Sequence, residues 1–376
     1  MNQKTILKIY LCGAWVFALM AATGACAQDH ATSISLESMY AKCLQGQMND
    51  VLEWWDQQDH DDLTDDQIAL RKRYESRFVN GKDLPSDHIS HPEIAQLQRS
   101  FERYWLSALI HPDEVDQAER TLAKELETLS GIEHGAQMSP DTFKVHLEAW
   151  ALDRGYHALL VGKTAHLRDC FIWKVDSVAR YTIPLVQDTV MVEVHLMSDF
   201  LSFGWMGFTT FDRTHAGGWA TREALFAVKE SYDLESESYQ VSYLCHEGQH
   251  FLDYQHFPRL TGTDLEYRAK LVELIMAQER HHILLQHFQT HAADLPGQHH
   301  PRANFLLTTH LQQWMREQVA DFDGDWNSVS KADIRKGSLA LLKAHTKLLN
   351  ALGADRVESA WDIPEKVEDK SAAQHE

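Results

Sequence analysis

Over residues 36–153 apolar side chains recur at helical spacing. Ser90-His91-Pro92-Glu93 opens one helix of this region and Ser139-Pro140 another, because Pro suits a first helical turn and Ser can cap it. Gly155 closes the series, and at Tyr156 the period changes. Short β-branched or aromatic runs at 157–161, 171–175, 181–186, 189–196 and 208–211 predict a small sheet within 156–230. Gly217-Gly218 then leads into Trp219-Ala220-Thr221 and an apolar run at 224–228. Ser236 and Ser238 offer caps for a helix over about 238–257. Three more helices are expected, from 264 to about 291, from 303 to about 319, and from 330 to 352 before Gly353. Helices, a sheet, then helices again predict an α+β architecture.

The N-terminus has a different pattern. Lys4 and Lys8 precede an uncharged stretch at 9–22, and Ala25-Cys26-Ala27 has the small-x-small form of a cleavage site. A signal peptide over 1–27, a mature start near Gln28 and an exported protein, periplasmic or secreted, are expected. Lipidation at Cys26 is the alternative, and the only expected tie to a membrane. Export leaves Cys43, Cys170 and Cys245 in an oxidising compartment. Cys43 with Cys170 is the expected pair and Cys245 the buried remainder, although sequence leaves the connectivity open. The domains so read are a helical region over 28–155, a second domain over 156–360 whose closing helical part spans 264–353, and a polar, disordered tail over 361–376.

Composition supports a folded chain: 44% of residues are hydrophobic and only 18 of 376 are Gly, enough to build a large core. A net charge of −20 gives no attraction to a phosphate backbone, so nucleic acid is not an expected partner. The acidic run at 59–66 reads as a solvated helix start or loop.

One motif carries chemistry. His246-Glu247-Gly248-Gln249-His250 puts two imidazoles at i and i+4 on one helical face, close enough to share a metal ion, with a carboxylate beside them. Val241, Leu244, Cys245, Gly248 and Leu252 form a buried stripe on the same helix, and Gly248, which costs about 1 kcal/mol against Ala in a helix interior, implies a close neighbour. The histidines His281, His282, His287 and His291 read as surface residues, and Asp321-x-Asp323-Gly324-Asp325 as an acidic turn, since Trp326 and Ala332 stand where a calcium loop needs Gly and Glu.

His246-Glu247-x-x-His250 followed by Asp264-Leu265-Glu266-Tyr267-Arg268-Ala269-Lys270 resembles the gluzincin branch of the zincin metallopeptidases over about 199–291. The resemblance implies a zincin-like metallopeptidase core, Zn²⁺ as cofactor, a peptide or protein as substrate, His246, His250 and Glu266 as metal ligands, and Glu247 as general base. Lys270 stands where that branch carries an Asp that orients a ligand His. Glu273 and His256 remain alternative third ligands, and Thr263-x-x-Glu266 can equally be a capping box. Trp219 and Ala220 resemble the strand that receives substrate, and Tyr254, Tyr267, His299, His300 and His310 are candidates for the oxyanion stabiliser, with Tyr254 and His300 placed among the substrate-binding residues. The competing function is a catalytically silent metal-binding or substrate-binding protein of the envelope, which needs the ligands and has no use for Glu247.

Overall fold

The computed structural model describes residues 12–14, 36–59, 63–132, 140–160, 163–164 and 167–361. The expected signal peptide at 1–27, apart from Cys12–Ala14, the alternative lipidation at Cys26 and the tail beyond Trp361 lie outside the described residues. Within them the chain mixes helices with one curled sheet, as the α+β expectation has it. Strands β1 (His157–Leu159), β2 (Phe171–Pro184), β3 (Thr189–Phe203), β4 (Gly218–Ala220) and β5 (Ala224–Val228) lie in the order β4-β5-β3-β2-β1, with Cys12–Ala14 as a further short strand. β1 and β2 run antiparallel, with His157 opposite Trp173. The two runs expected at 171–175 and 181–186 are one continuous strand, β2. No helix of the described residues is long and apolar enough to cross a membrane.

Two compact units divide the chain. The first comprises residues 1–178, 195–217 and 227–231. Its helices are α1 (Leu36–Leu44), α2 (Met48–Asp56), α3 (Asp65–Tyr74), α4 (Pro92–Ile110), α5 (Val115–Ser130), α6 (Pro140–Leu152) and α7 (Gly204–Thr210). Pro92 occupies the first turn of α4, and Thr64 with Gln67 closes a reciprocal capping box on α3. Trp55, Tyr74, Phe78, Phe101, Trp105, Phe208 and Phe211 fill the core, with edge-to-face contacts such as Tyr74 on Phe211. Each such ring removes on the order of 150–250 Å² from water, which makes this aromatic cluster the main stabilising term of the unit.

The run at 208–211, expected as a strand, is mostly helical and belongs to α7. A short apolar stretch cannot by its period tell a buried strand from a buried helix. Asp169 decides it by accepting the Trp205 N–H at 2.9 Å in the first turn, while Thr209 and Thr210 donate back to the Met206 carbonyl. The expected Cys43–Cys170 bridge is also absent: Cys43, Cys170 and Cys245 are all free and buried. The Cys43 sulfur lies 3.2 Å from the Tyr74 hydroxyl, and burial pushes its thiol up to about 11.

The second unit comprises residues 179–194, 218–226 and 232–376. Its helices are α8 (His246–His256), α9 (Gly262–Met276), α10 (His281–Thr290), α11 (His299–Gln318) and α12 (Lys331–Leu352). A π-helical segment, Ser238–Cys245, leads straight into α8, so the expected helix at 238–257 exists with a widened first half. Ser236 caps it through the Tyr239 N–H at 3.2 Å, whereas the Ser238 side chain does not. The helix expected from 264 to 291 is two helices. It breaks after Met276, where the Glu237 carboxylate accepts the N–H groups of Gln278 and Glu279 and so serves the start of α10 from a distance. Ser330 caps α12 and Gly353 closes it, as expected, and α11 begins four residues earlier than its apolar pattern.

Helix α9 is the centre of this unit, with every residue from Gly262 to Ile275 buried. Neighbouring helices α8, α11 and α12 pack around it. At its N-terminus Asp264 accepts hydrogen bonds from Ser359 Oγ and the Ala360 N–H and meets His345 Nε2 at 2.9 Å, which docks the last described residues against the helix.

Candidate metal centre

Two helices bring the motif residues together. On α8 the turn from His246 to His250 places both imidazoles on one face, with ring centroids 4.8 Å apart. On α9 Glu266 points at them: its Oε2 is 3.6 Å from His246 Nε2 and its Oε1 is 3.4 Å from His250 Nε2. One ligand atom from each of His246, His250 and Glu266 lies within 4.8 Å of the others, and all three residues are buried. This group could hold a metal ion. Both Nε2 atoms lack a hydrogen-bond partner, which buried imidazoles rarely tolerate without a ligand. Two imidazoles and one carboxylate are a common donor set for a divalent transition metal.

Close packing of α8 depends on Gly248. A Cβ there would meet Ile183 of β2 and Val190 of β3 at 3.3–3.7 Å, so the missing side chain lets these strands approach the motif helix. The close neighbour implied by a mid-helix Gly is present.

Surrounding groups fix the set. His246 Nδ1 is 2.7 Å from Glu273 Oε1, which orients the ring so that Nε2 faces Glu266. Glu273 therefore lies on the far nitrogen of His246, two turns beyond Glu266, and supplies the orienting carboxylate that Lys270 cannot. Asp253 and Arg268, both wholly buried, pair through two 2.9 Å contacts and lock α8 to α9, while Gln249 donates to Asp253 at 2.8 Å. His300 Nδ1, in the first turn of α11, lies 2.8 Å from Glu266 Oε2, and Lys270 Nζ of its own helix lies 3.8 Å from the same oxygen.

Electrostatics follow from this burial. For Glu266, His300, His246 and His250 overcome desolvation and hold the carboxyl well below the usual range. Burial alone would lower His246, but the nearby Glu266 carboxylate and the bonded Glu273 push it up to about 10. His250 falls below its ordinary value through burial. Glu247 is fully buried, and neither of its oxygens completes a hydrogen bond within the chain. Burial pushes it up to about 8, against the opposing pull of His246. Beside it, burial and the Glu247 charge together hold the Tyr232 and Tyr243 phenols well above 10.

The remaining candidates separate. Glu266 forms no capping box: Thr261 occupies the cap position of α9 without a side-chain bond. His256 is exposed at the end of α8, away from the group. Trp219 is buried with its ring stacked on Phe226, so it packs the unit and leaves no open face for a ligand. Ala220, its neighbour on β4, is buried as well. Tyr254 is buried beneath the Arg222 guanidinium. Tyr267 and His310 bond each other at 3.1 Å, and His299 lies against Thr263 and Gly262. Of the oxyanion candidates, His300 lies against Glu266. Sequence reasoning missed the Asp253–Arg268 lock and the orienting role of Glu273. A Glu on the face of Glu266, two turns later, was the available signal for the second.

Compared with protein-family models, curated proteins and solved structures, the chain matches none.

Proposed function

We propose that this protein is a metal-dependent peptide-bond hydrolase with a zincin-like site, in which His246 and His250 bind zinc through Nε2 and Glu266 completes the ligand set. The observation that carries the reading is Glu247, a buried carboxylate with no hydrogen bond completed inside the chain, set beside a group able to hold a metal. A bound zinc ion would supply Lewis acidity and lower the pKa of a bound water toward ~7. Glu247 takes the proton from the attacking water on a carboxylate oxygen and passes it to the leaving amine nitrogen, so that one residue serves as base and then acid. Glu273 keeps His246 in the tautomer that leaves Nε2 free to ligate.

Export belongs to the same reading. Lys4, Lys8 and the uncharged stretch at 9–22 support a cleaved leader, and N-terminal sequencing of the mature protein tests it with Gln28 as the expected first residue. The function is tested by digesting a diverse peptide library with the zinc-loaded protein and reading the products by mass spectrometry, with Glu247→Ala as the blank. Cuts made only by the wild type support the hydrolase. An intact library with zinc bound in both preparations removes it in favour of a binding protein.

A further inference from the structure

We propose that residues 357–361, the last described stretch of the chain, form a strap that holds α9 and the first turn of α11 around Glu266, so that docking of the strap and binding of zinc strengthen each other. This rests on the metal site proposed above and adds to it a segment outside the ligand set that controls it.

Helix α9 begins without a side-chain cap of its own. The first N–H groups of a helix have no partner within it, and a Thr at the cap position ordinarily accepts from one of them. Thr261 stands at that position, but its hydroxyl donates to the Glu358 carbonyl at 3.2 Å and its N–H donates to the same oxygen at 2.9 Å. Arg259, just before it, pairs with the Glu358 carboxylate. Asp264, in the first turn of α9 and wholly buried, accepts the Ser359 hydroxyl and the Ala360 N–H, the latter 3.1 Å from each of its oxygens. The start of the helix is thus tied to a segment some 95 positions downstream.

Trp361 extends the grip to three helices. Its ring lies parallel to His345 of α12 with centroids 5.3 Å apart, edge-on to Tyr267 of α9 at 5.8 Å, and tilted against His310 of α11 at 5.4 Å. Its carbonyl accepts from Arg302 at 3.2 Å, in the same opening turn of α11 that brings His300 to 2.8 Å from Glu266.

Asp264 and Tyr267 are three residues apart and share one face of α9, whereas Glu266 and Glu273 lie on another. A helix gripped on one face has its rotation about its own axis fixed, and that rotation decides where Glu266 points. The strap therefore acts through Asp264 and Tyr267 and needs no contact with the metal. Its docking is opposed by the backbone freedom that five residues outside any helix or strand lose. A segment so balanced responds to a ligand that prefers the docked form, and coupling between two sites is reciprocal. Zinc on Glu266 favours the docked strap by the same factor as the docked strap favours zinc.

The test uses the full chain and measures both directions. Zn²⁺ affinity is read by chelator competition in the wild type, in Trp361→Ala and in Ala360→Pro, which removes the N–H that Asp264 accepts. Both variants should bind zinc about 5–150-fold more weakly, with helicity by circular dichroism retained. Glu102→Ala, which weakens the first unit, should bind zinc as the wild type does; an equal loss there would make the effect general destabilisation and overturn the strap. In the other direction, hydrogen exchange of the Ala360 and Thr261 N–H groups in the wild type should slow on adding zinc by the same factor as the affinity falls. The Asp333 N–H, capped by Ser330 on α12, is the reference and should not change. Uniform slowing at all three groups, exchange at Ala360 indifferent to zinc, or full affinity in the folded variants would each overturn the strap while the metal site stands. If neither variant folds, exchange in the wild type decides. Failure of the wild type to bind zinc at all would overturn the metal site itself.

Discussion

Each unit buries a glutamate in a helix, and the two differ in what their carboxylates meet. In the first, Glu102 of α4 is fully buried and its oxygens accept the Ser86 N–H at 2.9 Å, the Ser86 hydroxyl and the Gln98 amide. In the second, Glu247 is equally buried and completes no such bond. Burial raises the carboxyl of both above the ordinary range. The first arrangement stabilises a loop against a helix, whereas the second costs stability, and under the proposed function it keeps a carboxylate able to move a proton. Satisfied burial marks structure, and unsatisfied burial beside a possible metal group marks chemistry.

The largest expected effect comes from emptying the metal group. His250→Ala should lose bound zinc and all measurable hydrolysis, which metal analysis of the purified protein and the peptide assay report together. Next, Glu247→Ala should retain zinc, lower kcat by about 10²–10⁴-fold, and leave the melting temperature equal or higher, since it removes an unsatisfied charge. Glu102→Ala should do the opposite, lowering stability by about 1–3 kcal/mol in denaturant titration with zinc content unchanged. If both variants destabilise alike, the contrast between the two carboxylates is broken.

Two smaller effects sharpen it. Arg268→Ala leaves Asp253 buried without its cation and should cost about 3–5 kcal/mol, together with weaker zinc binding because α8 and α9 lose their lock. The smallest concerns pH. Burial, with His291 beside it, pushes His287 of α10 down to about 4, below the ordinary value for an imidazole. The unfolded chain then binds a proton between pH ~6.5 and ~4 that the folded chain refuses, so this contribution to stability is present above that window and is lost as pH falls through it. NMR titration of the His287 ring should find it neutral at pH 5, and His287→Gln should flatten the acid limb of the stability curve slightly.

Elements defined by local chemistry were readable in the chain. Pro92 and Ser330 open helices where their residue types predict, and Gly353 ends one. The mid-helix Gly248 marked a close approach that Ile183 and Val190 make. Where a neighbour decides the conformation, the reading failed. The run at 208–211 became helix through Asp169, a residue almost 40 positions upstream, and the break after Met276 depends on Glu237 from another segment. Cys43 and Cys170 could be paired on paper, yet both remain free thiols within one hydrophobic core cluster, which spacing in the chain does not reveal.

His246, Glu247 and His250 were set by the sequence alone, because a spacing of four residues on a helix fixes which side chains share a face whatever surrounds it. The sequence also selected Glu266, although nothing local distinguished a ligand from a cap. Tertiary structure decided that Glu266 meets both imidazoles, that Glu273 takes the far nitrogen of His246, that Asp253 pairs with Arg268, and that His300 arrives from α11. Helix α9 shows the reason. Its charged residues Asp264, Glu266, Arg268, Lys270 and Glu273 are all buried; Asp264, Arg268 and Glu273 find partners on other helices, and Lys270 lies beside Glu266 on its own. A buried charge is tolerable only with its partner in place, and partners distant in sequence are chosen by packing.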